Sequence, residues 1–262
     1  MELLAIETIQ VNYEKIKEID YIVKSIYQLI IFSRYHEDDD LLDSFFNGMH
    51  ELTELVSIKN AQMEAQNEDE AKEYLKNLRL ALDFIVEEIK AHRNFEKELQ
   101  LFQLYRLVSP ETHLSHPNKY RQSLVQIGSY VCPDHKEVPI LVSELFYRMK
   151  LIPNPITKAV YFHHELIRIH PFTDGNGRVT RVAKNWMLMY ELYPPIFIKD
   201  SSQKKKYIAS LANSFRELDN ANEWNDFTSQ FFDLELDRLL LNAKNLYSIV
   251  DIIGTERGKK RR

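Results

Sequence analysis

The chain has 262 residues, 44% of them hydrophobic, with a formal net charge of -5, so it can bury a proper core and is too acidic for bulk-charge binding of nucleic acid. A single cysteine, Cys132, excludes a disulfide framework and a Cys-rich zinc site and reads as a spare buried thiol. The N-terminal residues are charged too early for a signal peptide and no apolar run is long enough to span a bilayer, so a soluble cytoplasmic protein without membrane contact is expected.

With 6 glycines, 9 prolines and frequent apolar spacing of three and four, the chain reads as mainly helical. From Ile9 to about Phe32 the apolar positions Val11, Ile16, Ile19, Val23 and Ile26 trace one face of an amphipathic helix. After the polar break His36 to Asp40, a second helical run is expected over Leu41 to Gln66. Asn67 to Glu70 has the acids of a helix start, and that helix should run from Glu68 towards Ala91. Another is expected from Phe95 to Val108.

Between Ser109 and Pro139 the helical period disappears. Short β-prone runs around Gly128-Ser129 predict a hairpin from Leu124 to Val131. Helices resume over Ile140 to Met149, Ile156 to Ile169, Gly177 to Leu192, Lys204 to Leu218 and Glu223 to Val250. The basic tail "ERGKKRR" reads as a solvated, frayed end.

The stretch "HPFTDGNGRVTR", His170 to Arg181, is chemically unusual. Pro171 ends the preceding helix near His170, and Asp174-Gly175-Asn176-Gly177 is turn chemistry. The next helix then opens with Arg178 and Arg181, cations set against the positive end of the helix dipole. Each such charge opposes the dipole by ~0.3–1 kcal/mol unless an anion lies between them. Phosphates fit: free backbone amides, glycines that permit close approach, and guanidinium groups that bind bidentately. Asp174 beside phosphates makes sense if Mg²⁺ lies between, and His170 at the rim has the chemistry of a general base. Phe172 reads as the hydrophobic anchor of the loop. A Gly-Asn-Gly turn alone is common, and the flanking His, Asp and Arg residues give it its meaning.

These residues fill every fixed position of the motif H-x-F-x-(D/E)-G-N-G-R-x-x-R, and the chain over about Leu101 to Asn213 resembles the Fic family. The resemblance implies an all-α fold with a small β-hairpin flap, divided into an accessory region 1–94, a core 95–220, and a C-terminal helix and tail 221–262. It implies transfer of AMP from ATP to a Ser, Thr or Tyr hydroxyl of a protein. His170 would be the base and Asp174 would hold Mg²⁺. Gly175, Asn176 and Gly177 would form the anion hole, Asn176 also touching the α-phosphate, and Arg178 and Arg181 would bind the phosphates. Val125, Gln126, Ile127 and Gly128 would form the flap that aligns the target, which an exposed strand edge suits. Gly177 rather than lysine favours adenylylation over phosphorylation. An inhibitory helix resembling "NAQMEA" would place Glu64 against Arg181, although Asn60 and Ala65 depart from that pattern. Removal of AMP, or a nucleotide-binding regulatory module with little catalysis, are the rival readings. The oligomeric state is left open, a homo-oligomer included.

His163 and His164 lack further ligands at zinc spacing and read as packing residues. His113 and His116 read as exposed, and Lys204 to Lys206 as a solvated face that could help attract ATP. Tyr207 resembles a position near the nucleotide in some members, with plain packing equally compatible. Trp186, Phe231 and Phe232 read as core.

Overall fold

The computed structural model describes residues 1–35, 61–62, 65–115, 119–219 and 221–260. In chain order these give α1 (Tyr13–Tyr35), α2 (Glu68–Lys90), α3 (Glu98–Val108), α4 (Pro110–Ser115), β1 (Gln126–Ile127), β2 (Tyr130–Val131), α5 (Val138–Met149), α6 (Pro155–Ile169), α7 (Asn176–Tyr190), α8 (Ser201–Leu218) and α9 (Asp226–Lys260). The predicted run Leu41 to Gln66 lies almost wholly outside the described residues, as do Glu64 and His116.

The elements start where local chemistry starts them. Asn67 caps α2 by accepting from the Glu70 amide, Asn154 caps α6 through Thr157, and Asp200 caps α8 through Gln203. The segment after Ser109, expected to be irregular, instead makes the short helix α4. Pro110 opens it with a preset φ, and the His113 amide donates to Ser109. That turn buries His113 edge-on against Tyr105, correcting the expected exposure.

The two-stranded antiparallel hairpin pairs Gln126 with Val131 and Ile127 with Tyr130. Gly128 supplies the positive φ of 60° at its tip. Its halves differ in burial. Tyr130 and Cys132 are buried, Tyr130 against Phe215 of α8, while Leu124, Gln126 and Gly128 are exposed.

Helix α6 is buried on all sides from Ala159 to Ile169, and α7 packs along it. A helix without a solvated face must pair every polar group that it carries. His163 pairs with the Tyr207 hydroxyl at 2.7 Å. His164 bridges Glu165 and Ser214, and Glu165 also takes Arg168 and the Leu4 amide. Burial alone would raise the Glu165 pKa, but Arg168 and His164 hold it down at about 2. On α7, Lys184 meets Glu235 of α9, which also binds Arg238 at 2.6 Å. Trp186, Phe231 and Phe232 are core, and Tyr207 is buried.

Helices α1 and α9 run parallel. Lys15 bridges Asp233 and Asp237, Glu18 meets Lys244, and Ile26 packs on Leu246 and Val250. No helix among the described residues is long and apolar enough to cross a membrane.

Glu235 is the one carboxylate between two buried cations in this group. Glu235→Gln should lower unfolding stability by about 3–5 kcal/mol, measured as a shift of the urea midpoint, because it leaves uncompensated buried charge.

Candidate active site

The loop 170–175 turns the chain from the end of α6 to the start of α7. His170 caps α6 in the left-handed region, φ 52°, and its amide still donates to Leu166. Phe172 is buried in an aromatic box, stacked on Tyr105 at 3.9 Å and flanked by Phe102 and Tyr120. The Asn176 amide closes the loop on itself. Its Oδ1 accepts from the Phe172 N–H and its Nδ2 donates to the Phe172 carbonyl, both at 2.8 Å. With the side chain turned inward, the Asn176 main-chain N–H remains for an anion in the cleft.

Gly175 is required by space as well as by its φ of 75°. A Cβ there would lie 2.0 Å from Ser109 Oγ. As the cap of α7 it offers no side chain to the first amides, and the first turn of α7 contains no acid. The open amide end faces a cleft of about 220 Å³ lined by His170, Asp174, Gly175, Arg178, Arg181 and Lys204, with Asn176 and Gly177 at its floor. Three cationic side chains and one carboxylate share it, an excess of positive charge at the positive end of a helix. Lys204 thus departs from the expected solvated face, while Lys205 and Lys206 are exposed.

Arg178 is held from three sides. It donates to the Val108 carbonyl at 2.9 Å, pairs with Asp174 at 2.8 Å, and lies 4.0 Å from the ring centroid of Tyr74. The Tyr74 hydroxyl donates to Glu70, which accepts in turn from the Gln66 amide. Burial, then the Glu70 bond, pushes the Tyr74 phenol up to about 12. The Arg181 guanidinium folds back over Gly177, 3.0 Å from where a Cβ would stand.

Burial pushes the His170 pKa down to about 4, so the imidazole is neutral at pH 7. Its Nδ1 is buried without a hydrogen-bond partner among the described residues. Burial likewise raises the Cys132 thiol to about 11, which leaves it unreactive.

Sequence reasoning overlooked three contributors. Arg121 lies beneath the loop with its Nε on the His170 carbonyl at 2.7 Å. Tyr74 reaches Arg178 across about a hundred residues of chain, and only its i,i+4 spacing from Glu70 was visible beforehand. Ser109 forms the wall behind Gly175.

The molecule is therefore a helical protein with an uncapped helix start lined by cationic side chains and a neutral imidazole beside it. Residues 97–188 match the model of the Fic/DOC family. A curated relative, protein adenylyltransferase Fic of Culex quinquefasciatus, is 28% identical over 162 residues, 60% of this chain and 32% of that protein. The chain spans about a third of the length of such relatives. Among solved structures, a Fic domain containing signaling protein from Bacteroides thetaiotaomicron superposes with a TM-score of 0.69 at 19% identity, covering 88% of this chain and 98% of that one. A variant of IbpAFic2 in complex with adenylylated Cdc42 gives a TM-score of 0.54 at 15% identity, covering 89% of this chain and 72% of that one.

Gly175→Ala should displace the loop and weaken binding of inorganic triphosphate, used as an anionic probe of the cleft, at least about tenfold by calorimetry, through overlap with Ser109 plus ~1–3 kcal/mol of backbone strain. Ser109→Gly in the same chain should restore part of the affinity, since it removes only the overlap.

Proposed function

We propose that this chain is a protein adenylyltransferase that moves AMP from ATP to a Ser, Thr or Tyr hydroxyl of a protein. The observation that carries this reading is the meeting of His170, Asp174, Arg178 and Arg181 in one cleft at the amide end of α7. The triphosphate lies against those amides with both guanidinium groups around it, and Arg178 exchanges Asp174 for phosphate oxygens. His170, already neutral, takes the proton of the acceptor hydroxyl as its oxygen attacks the α-phosphorus. The bond from the α-phosphorus to the bridging oxygen breaks and pyrophosphate leaves, its charge spread over the cationic lining.

The donor set fits magnesium in one particular way. Asp174 is a single exposed carboxylate, and no group of three metal-ligating side chains occurs among the described residues. One carboxylate suits Mg²⁺ that arrives on the phosphates, where it would neutralise charge on the leaving pyrophosphate. The acceptor segment lies along the exposed side of the flap, Val125 to Gly128, whose free strand edge accepts an extended peptide.

Glu64 acts as an inhibitory partner of Arg181 in this reading. Its flanking residue Ala61 lines a small apolar pocket together with Arg178 and Arg181, which supports the segment's approach to the second motif arginine.

With α-labelled ATP a protein acceptor should become labelled, and with γ-labelled ATP it should not. His170→Ala should cut the rate by about 10²–10⁴-fold. A base with a pKa near 4 gives a rate that is level from about pH 6 to 8 and falls only below about pH 5, where the imidazole protonates. A limb centred near 6.5 would mean that the imidazole returns to its ordinary range when nucleotide is bound. Glu64→Gly should raise automodification with Mg-ATP, and equal labelling of the two chains would remove the inhibitory role.

A further inference from the structure

Arg121 is buried, and its hydrogen-bond partners are main-chain carbonyls rather than carboxylates. Its Nε donates to the His170 carbonyl at 2.7 Å and its Nη2 to that of Ile169 at 3.3 Å. Nη1 donates to Ser123 at 2.7 Å, and Nη2 also reaches Pro133 at 2.6 Å. The Arg121 amide itself donates to the Pro171 carbonyl at 2.9 Å. Ser123 and Pro133 are the two legs of the flap, one before β1 and one after β2. Ile169, His170 and Pro171 are the end of α6 and the start of the motif loop. One planar cation thus holds the base of the flap and the residue that presents the imidazole.

We infer that Arg121 is a positioning residue that fixes the flap relative to His170, and so sets where an acceptor hydroxyl meets the base. The inference rests on the adenylyl-transfer reading for its kinetic consequence, while the clamp itself rests on geometry alone. Three observations favour a positioning role over a merely stabilising one.

The carbonyls at the end of α6 carry the negative end of a helix dipole and lack helical donors, so a cation is welcome there. That requirement alone would be met by a lysine or by one hydrogen bond. Here the fixed fork of the guanidinium is used on two separate segments at once. Second, His170 holds a left-handed φ of 52°, a conformation that a non-glycine residue keeps only when its surroundings over-determine it. Arg121 supplies one such restraint at the His170 carbonyl. Third, the outer half of the flap is exposed, so its packing alone fixes it weakly, whereas Tyr130 anchors the return strand. The outer half takes its place from the Cys132 amide on the Val125 carbonyl and from Arg121 at Ser123.

The test uses the full chain with Arg121→Lys and Arg121→Met, each also combined with Glu64→Gly so that inhibition does not mask turnover. Lysine keeps the charge and loses the fork, and methionine loses both. Mg-ATP affinity, read by calorimetry, should stay within about twofold of the unchanged chain, while kcat/KM for the protein acceptor should fall by about 10- to 100-fold in both variants, the scale expected for reacting groups misplaced by about 1 Å. Amide hydrogen exchange in Arg121→Met should quicken together in residues 122–133 and 169–172. Full transfer by Arg121→Lys overturns the inference, as does equal loss of nucleotide binding and transfer, or exchange that quickens in only one of the two segments. Should the unchanged chain and its Glu64→Gly form transfer no α-label at all, the adenylyl-transfer reading falls. The exchange result then still decides the clamp.

Discussion

Two helix ends of opposite polarity meet across residues 170–175, and the site depends on how each is satisfied. The carbonyl end of α6 is closed by a buried guanidinium. The amide end of α7 is left open to the cleft, with a glycine cap that contributes no side-chain oxygen. A capping aspartate or serine in place of Gly175 would engage the amides that a phosphate needs. The loop therefore gives up a stabilising side-chain cap and recovers order elsewhere. The Asn176 amide ties it to Phe172, and Phe172 is held by stacking on Tyr105.

The same logic extends into the helices behind the loop. Glu165 and Glu235 are fully buried carboxylates, one on α6 between Arg168 and the His164 imidazole, the other on α9 between Lys184 and Arg238. Buried ion pairs contribute little net stability relative to packed apolar residues, but they are directional. His164 ties α6 to Ser214 of α8, while Lys184 ties α7 to α9. These links fix the roll of the two central helices, and with it the aim of His170 and the arginines.

The site was readable in the sequence where its chemistry is local. His170, Asp174, Gly175, Arg178 and Arg181 lie within twelve consecutive residues, so turn propensity and helix polarity were enough to gather them. The start of α2 at Asn67 to Glu70 could be read for the same reason, as could the amphipathic face of α1. Failures fell where tertiary contacts decide. Pro110 can open a helix or end one, and only packing on Tyr105 favours the turn that became α4. Lys204 looks like its exposed neighbours until α8 is set beside α7. Arg121 was visible only as a letter in a resembling segment, because its partners are backbone atoms, which a one-dimensional pattern does not record.

The ring that faces Arg178 belongs to α2, outside residues 97–188 that match the Fic/DOC family model. The edge of Phe84, on the same helix, meets Trp186 at 5.6 Å. A fragment excised without α2 would thus keep every letter of the motif, yet uncover a tryptophan and leave one side of Arg178 to water. Measurements on such a fragment would describe a different electrostatic environment, and its solubility would suffer before its chemistry could be judged.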